Sequence, residues 1–215
     1  MHMSMIASPA TLDVSLFHAV NGLAGHHALL DALMVAAAQY SPQLFAIVLI
    51  ALWSSWKREY QVPAILAGGS AMLALGVGQI VGHALPRVRP FLAGHATLLI
   101  HHSADTSFPS DHATLTFAVA ALIFAFHRRL GAVLLALALW VAVARVYVGA
   151  HYPGDVLGGA VLGSVVSAGV VWATHTEWGM ASLDRTLALL ARVRLMARAG
   201  TVASEIDATK APRAA

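Results

Sequence analysis

The chain has 215 residues, 59% of them hydrophobic and 11% charged, against roughly 45–50% and about 25% in soluble domains, which excludes a water-soluble fold. The same numbers exclude a disordered chain, which is polar and charge-rich. Net charge is only +3 with 13 dispersed Lys and Arg, and there is no cysteine, so no nucleic-acid partner and no disulfide or thiolate site is expected.

Residues 1–28 read as an N-terminal interfacial segment. Within it, residues 11–25 form a surface helix or, if continuous with the first span, part of a sixth. Crossing about 30 Å of hydrocarbon takes ~20 mostly apolar residues in a helix. Five stretches qualify: residues 33–53, 62–85, 110–127, 130–150 and 156–174. The third is short, so its polar first turn belongs inside protein rather than in lipid. The predicted fold class is all-α, a polytopic transmembrane bundle of five to six spans occupying residues 29–175. Residues 176–215 read as a cytoplasmic amphipathic helix (182–199) and a disordered tail from 200. Glycines at 68, 69, 76, 78, 82, 158, 159 and 163 suggest close helix packing.

Orientation follows the basic residues. Lys57 and Arg58, then Arg128 and Arg129, then the Arg and Lys residues after the fifth span fall on one side by parity. That side is read as cytoplasmic. The opposite, extracytoplasmic side receives residues 86–109 and 151–155, and with them the candidate active site.

Cost marks the residues of interest there. Arg near the centre of an inserted helix costs about 2.5–3.5 kcal/mol, so ionisable groups in such a setting are functional hypotheses by default. Topology gathers Arg87, Arg89, Ser110, Asp111, His112, Arg145, His151 and Asp155 at one mouth of the bundle. Arginines beside a helix N-terminus suit an anion, because guanidinium forks match phosphate oxygens and free helix N–H groups favour negative charge. Ser110 is placed to cap the third span. Two histidines allow one nucleophile and one proton donor, and His151 with Asp155 at i, i+4 allows the carboxylate to fix the ring tautomer. Phosphoryl transfer through a phosphohistidine is the chemistry this set points to.

The run Arg89-Pro90, then Pro109-Ser110-Asp111-His112, then Arg145-x5-His151-x3-Asp155 resembles the three signatures of the type-2 phosphatidic acid phosphatase superfamily. Within it, Phe108-Pro109-Ser110-Asp111-His112-Ala113, with Leu30-Asp31, Met34 and Tyr40-Ser41-Pro42, is similar to the bacitracin-resistance-type undecaprenyl diphosphate phosphatases. The resemblance implies that His151 attacks phosphorus, Asp155 orients it and His112 protonates the leaving phosphate. Arg89, Arg145 and Ser110 would hold the transferred group, with Asp111 and Arg87 near it and no metal or cofactor required. Two positions depart from the signatures: Gly82 stands where the family has Lys, and Ala144 where it has Ser.

The implied activity is removal of the terminal phosphate of a polyprenyl diphosphate in a bacterial inner membrane. A broader lipid phosphatase or a lipid phosphotransferase would use the same residues. A lipid transporter is the non-enzyme alternative, disfavoured because its charges would be scattered through membrane depth and no repeat is visible. His95, His101 and His102 match no zinc spacing and read as solvated loop residues. Met1-His2-Met3 reads as a terminus without a site. Composition and spacing say nothing of oligomeric state.

Overall fold

The computed structural model describes residues 11–94 and 96–192. The tail from residue 200 and the start at residues 1–5 lie outside the described residues. Those described form seven helices: α1 (Thr11–Asn21), α2 (Ala28–Trp53), α3 (Arg58–Ala84), α4 (Asp111–Phe126), α5 (Arg128–Tyr147), α6 (Pro153–Ala173) and α7 (Glu177–Arg192). Four of them, α2, α3, α5 and α6, are long and apolar enough to cross a membrane; α4, with 16 residues, is shorter. A belt of exposed Leu, Ile, Val and Trp on α2, α3, α5 and α6 is the surface that hydrocarbon rather than water accommodates.

The short helix is short because it is internal. α4 packs against α2, α3, α5 and α6, and Ala118, Ala120, Leu122 and Ile123 along it are fully buried. Its first turn is mixed: Ala113 and Thr114 are buried and His112 partly so, whereas Asp111 is exposed at the mouth of the bundle. Small residues bring α6 against α4. A Cβ on Gly159 would stand 2.6 Å from the Ser110 carbonyl oxygen, and one on Gly163 would stand 2.3 Å from that of Thr114. Ser167 reinforces the contact, donating to the Ala118 carbonyl at 2.7 Å and meeting Ser70 of α3 at 2.8 Å, as polar side chains do between membrane helices. The close-packing reading thus holds at Gly82, Gly158, Gly159 and Gly163, whereas Gly69 and Gly76 face open space. Gly163→Val is expected to lower stability by about 1–3 kcal/mol through overpacking against backbone. Gly169→Val, with nothing within 4 Å of its Cβ, should be near neutral; thermal unfolding in detergent compares the two.

The N-terminal segment resolves in favour of a separate helix. α1 ends at Asn21, and a turn through residues 22–27 divides it from α2. Its 11 residues rise only about 16 Å. Phe17 is fully buried, packing edge-on to Tyr152 at 5.3 Å. Asn21 donates to the carbonyls of Thr97 and Tyr147 at 2.9 and 2.8 Å and accepts from the Thr97 N–H at 2.9 Å. One amide thereby ties the outer loop to the end of α5.

The two ends of the bundle differ. At one, Trp53, Val62, Phe126, Leu183 and Leu187 cluster, which brings α7 to the end carrying Lys57, Arg58, Arg128 and Arg129. At the other, the segment 85–110, the start of α4 and the α5–α6 turn come together.

Candidate active site

Each part of the site is delivered by a local feature of the chain. α5 stops at Tyr147, and Gly149, at φ +83°, turns the chain where a side chain would be strained. A Cβ on Gly149 would stand 2.6 Å from the Thr97 carbonyl oxygen. His151 comes next, its N–H bonded to the Arg145 carbonyl at 3.3 Å. Pro153 then opens α6 at its first position, and Asp155 accepts the Tyr152 N–H at 2.8 Å, which starts the helix.

His151 is buried, and its two ring nitrogens have distinct surroundings. Nδ1 lies 2.9 Å from the Ser107 carbonyl. A carbonyl only accepts, so the ring proton sits on Nδ1 and the lone pair on Nε2. Two guanidiniums converge on that lone pair: Arg89 Nη1 at 3.1 Å and Arg145 Nη2 at 3.2 Å. Burial first, then the charges of Arg145 and Arg89, hold the His151 pKa well below 6.5. The imidazole is therefore neutral at physiological pH.

Asp155 makes no direct hydrogen bond to the ring. Its Oδ2 is 3.8 Å from His151 Nδ1, beyond hydrogen-bonding reach. It acts one step back instead, accepting from the Ser107 hydroxyl at 2.5 Å and from Arg87 Nη1 at 2.6 Å. The i, i+4 expectation fails because His151 precedes the helix that carries Asp155.

The arginines divide. Arg145, 2% exposed, donates to the Ala38 carbonyl at 3.2 Å and to His102 Nε2 at 2.6 Å, and its Nε is buried without a partner. Arg89, 4% exposed, is gripped by Asp105 through Nε and Nη2 at 2.8 and 2.7 Å, and its Nη1 reaches the Ala150 carbonyl at 3.1 Å. Arg87 sits behind them, with both ends of its guanidinium engaged by Asp155 and Asp13. It is not brought to the His151 lone pair.

Ser110 occupies the N-cap position of α4, but its hydroxyl makes no capping bond and is buried without a partner. A buried hydroxyl left unsatisfied is costly, and Arg145 Nε is in the same condition; both suit a ligand that accepts hydrogen bonds. His112, in the first turn of α4, lines a cleft of about 500 Å³ with Arg145, His102, Gln39 and Tyr40. Asp111 turns the other way, toward Gln79 of α3 at 3.3 Å, and lines a neighbouring cleft with Asp105 and His83.

His102 departs from the solvated-loop reading. Its side chain is 16% exposed, its ring meets that of His151 edge-on at 6.0 Å, and its Nε2 accepts from Arg145. Burial and then the charges of Arg89 and Arg145 lower its pKa, consistent with a neutral ring accepting there. No motif spacing marks it. Ser107 was equally hidden, because it works through a backbone carbonyl that carries no sequence signature. Among the described residues, no three His, Asp or Glu form a group that could hold a metal ion.

Arg89 and Arg145 thus converge on the His151 imidazole, and the Ser110 hydroxyl at the start of α4 is buried without a partner. The model of the PAP2 superfamily matches residues 63–179. The chain belongs to the PAP2 superfamily. The chain is 32% identical to the undecaprenyl-diphosphatase BcrC of Bacillus subtilis (strain 168), over 72% of its own length and 80% of the relative. It is 33% identical to the putative undecaprenyl-diphosphatase YbjG of Escherichia coli (strain K12), over 75% and 83%. In fold it is similar to Aquifex aeolicus LpxE, with a TM-score of 0.61 and 23% identity, over 76% of this chain and 97% of the other. This PAP2 chain is a multi-pass membrane protein.

A side chain at Gly82 would be tightly placed. A Cβ on Gly82 would lie 3.0 Å from both the Phe108 carbonyl oxygen and Thr106 Cγ2, so the glycine lets the segment before α4 rest directly on α3. Ala144 is fully buried in an apolar cluster with Ala38, Ile100 and Tyr147.

The state of His151 sets the pH dependence. Attack through the His151 lone pair would need a neutral ring, and its proton affinity is depressed, so if His151 attacks phosphorus the acid limb of the kcat/KM profile, which reports the free enzyme, should lie well below pH 6.5. Phosphate release measured from about pH 4 to 9 checks this. An acid limb centred at or above 6.5 would contradict it.

Proposed function

We propose that this protein removes the terminal phosphate of a polyprenyl diphosphate, undecaprenyl diphosphate foremost, through a phosphohistidine formed on His151. The observation that carries the reading is the His151 Nε2 lone pair held between Arg89 and Arg145 at 3.1 and 3.2 Å. The undecaprenyl-diphosphatase relatives support the choice of lipid. The site lies at the end opposite the Lys57/Arg58 and Arg128/Arg129 turns, which supports an active site facing outward from a bacterial inner membrane.

In this reading the terminal phosphoryl oxygens take the Arg89 and Arg145 N–H groups, the free Arg145 Nε and the Ser110 hydroxyl. His151 Nε2 attacks phosphorus, the bond to the bridging oxygen breaks, and His112 gives that oxygen a proton as the lipid monophosphate leaves. Water then attacks the phosphohistidine, returning its proton to His112 and releasing inorganic phosphate. The fixed donors stabilise charge on the transferring group without reorganising, and such preorganised electrostatics usually supplies most of the rate enhancement. No step requires a metal.

The test is phosphate release from undecaprenyl diphosphate by detergent-purified protein in EDTA, with His151→Ala as control. Release that persists in chelator and vanishes in the variant is expected. Hydrolysis of phosphatidic acid but not of this lipid would reassign the substrate, and no release from either would overturn the reading.

A further inference from the structure

α1 lies outside the residues matched by the PAP2 model, 63–179, yet its first turn reaches the turn that carries His151. Asp13 Oδ1 accepts the Gly154 N–H at 2.7 Å, and Asp13 Oδ2 pairs with Arg87 Nη2. Arg87 Nη1 in turn bonds Asp155 Oδ1 at 2.6 Å, and its guanidinium stacks 4.5 Å over the Tyr152 ring. The line continues through the Ser107 hydroxyl on Asp155 and the Ser107 carbonyl on His151 Nδ1. Side chains along its charged part are little exposed: Asp13 14%, Arg87 10% and Asp155 0%.

The alternation of charge has a physical purpose. A buried ion pair repays desolvation only when its remaining hydrogen-bonding capacity is filled. Asp155 engages both oxygens, with Arg87, Ser107 and the Tyr152 N–H, and Arg87 fills its second end with Asp13. Removing Asp13 leaves Arg87 Nη2 and the Gly154 N–H without their acceptor, and the guanidinium is free to swing off Asp155. Ser107, and with it the His151 ring, then loses its fixed support.

We infer that Asp13 is a positioning residue of the active site, acting through Arg87 and Asp155 on His151, so that α1 belongs to the enzyme's working parts. The inference rests on the reading of His151 as the nucleophile. Small displacements of a reacting group cost up to about 10²-fold in rate, so the loss should appear in kcat.

The experiment compares full-length Asp13→Asn, Arg87→Gln and the double variant in detergent, measuring kcat, KM and the thermal midpoint with undecaprenyl diphosphate. Asp13→Asn is expected to lower kcat about ten- to hundredfold, with KM within about twofold and a thermal midpoint near that of the parent. Because it acts through Arg87, it should cost little more in the Arg87→Gln background. Arg87→Lys, a cation that bridges only one carboxylate, should reproduce the Asp13→Asn loss and carries the test if Asp13→Asn does not fold. An unchanged kcat in either variant, full additivity, or a loss that tracks the thermal midpoint overturns the inference. Failure of the nucleophile reading is seen separately, as activity surviving in His151→Ala. If the parent prefers phosphatidic acid, the same cycle is run on that lipid.

Discussion

His151→Gln is expected to lower kcat for phosphate release by at least about 10⁴-fold, the scale on which removing a covalent nucleophile acts. Glutamine suits this test better than alanine for reading catalysis alone. Its amide can donate to the Ser107 carbonyl and accept from Arg89 and Arg145, the contacts His151 makes now, so the buried polar groups keep partners. What disappears is the lone pair proposed to attack phosphorus. The fall in rate corresponds to about 5.5 kcal/mol of barrier, more than any single phosphate contact supplies. Brief reaction with terminally ³²P-labelled substrate, quenched in alkali, should label the parent and leave the variant blank. Label in the variant would mean that another side chain forms the phosphoenzyme, whereas an unlabelled parent with a loss below about tenfold in the variant would mean that water attacks the substrate directly and that His151 only helps to hold it.

How much of this could be read in advance depended on whether a residue was conspicuous where it stood. Arg145 stood out because a guanidinium in a run as apolar as α5 is expensive, and span parity sent it to the same mouth as Arg89, His112 and Asp155. The helices were visible for the same reason, as uninterrupted apolar runs. The differences arise where three-dimensional paths decide. Arg87 and Arg89 are the same residue type two positions apart; one turns toward Asp13 and Asp155, the other reaches His151. Asp13 and Gly154 are 141 positions apart, and nothing in either neighbourhood announces the contact. The Ser107 carbonyl could not be foreseen, since a backbone acceptor looks the same at every residue. His151 and Asp155 had the spacing of helical neighbours, but the helix begins only at Pro153, so the rule for facing side chains did not apply.

Arg145→Lys should lower kcat/KM about 10²–10³-fold, equivalent to about 2.7–4 kcal/mol, as for loss of one oxyanion donor. The charge is retained, so what the substitution removes is geometry. Arg145 works in three directions: Nη1 is anchored on the Ala38 carbonyl, Nη2 is shared between His102 and His151, and Nε waits unpartnered. A lysine ammonium is a single point on a flexible stem. It can take the Ala38 anchor or a phosphoryl oxygen, but it cannot present a planar fork to two oxygens while anchored. His102→Ala separates positioning from contact, because it frees Nη2 and leaves the rest of the fork intact; its expected loss is smaller, about tenfold. Kinetics of phosphate release for both variants, beside their thermal midpoints, test this ordering. If Arg145→Lys stays within about threefold of the parent, charge alone suffices at this position and the buried fork is there for packing. If His102→Ala loses as much as Arg145→Lys, the outer-loop imidazole itself contacts the substrate, and the anion site has a member that no signature motif contains.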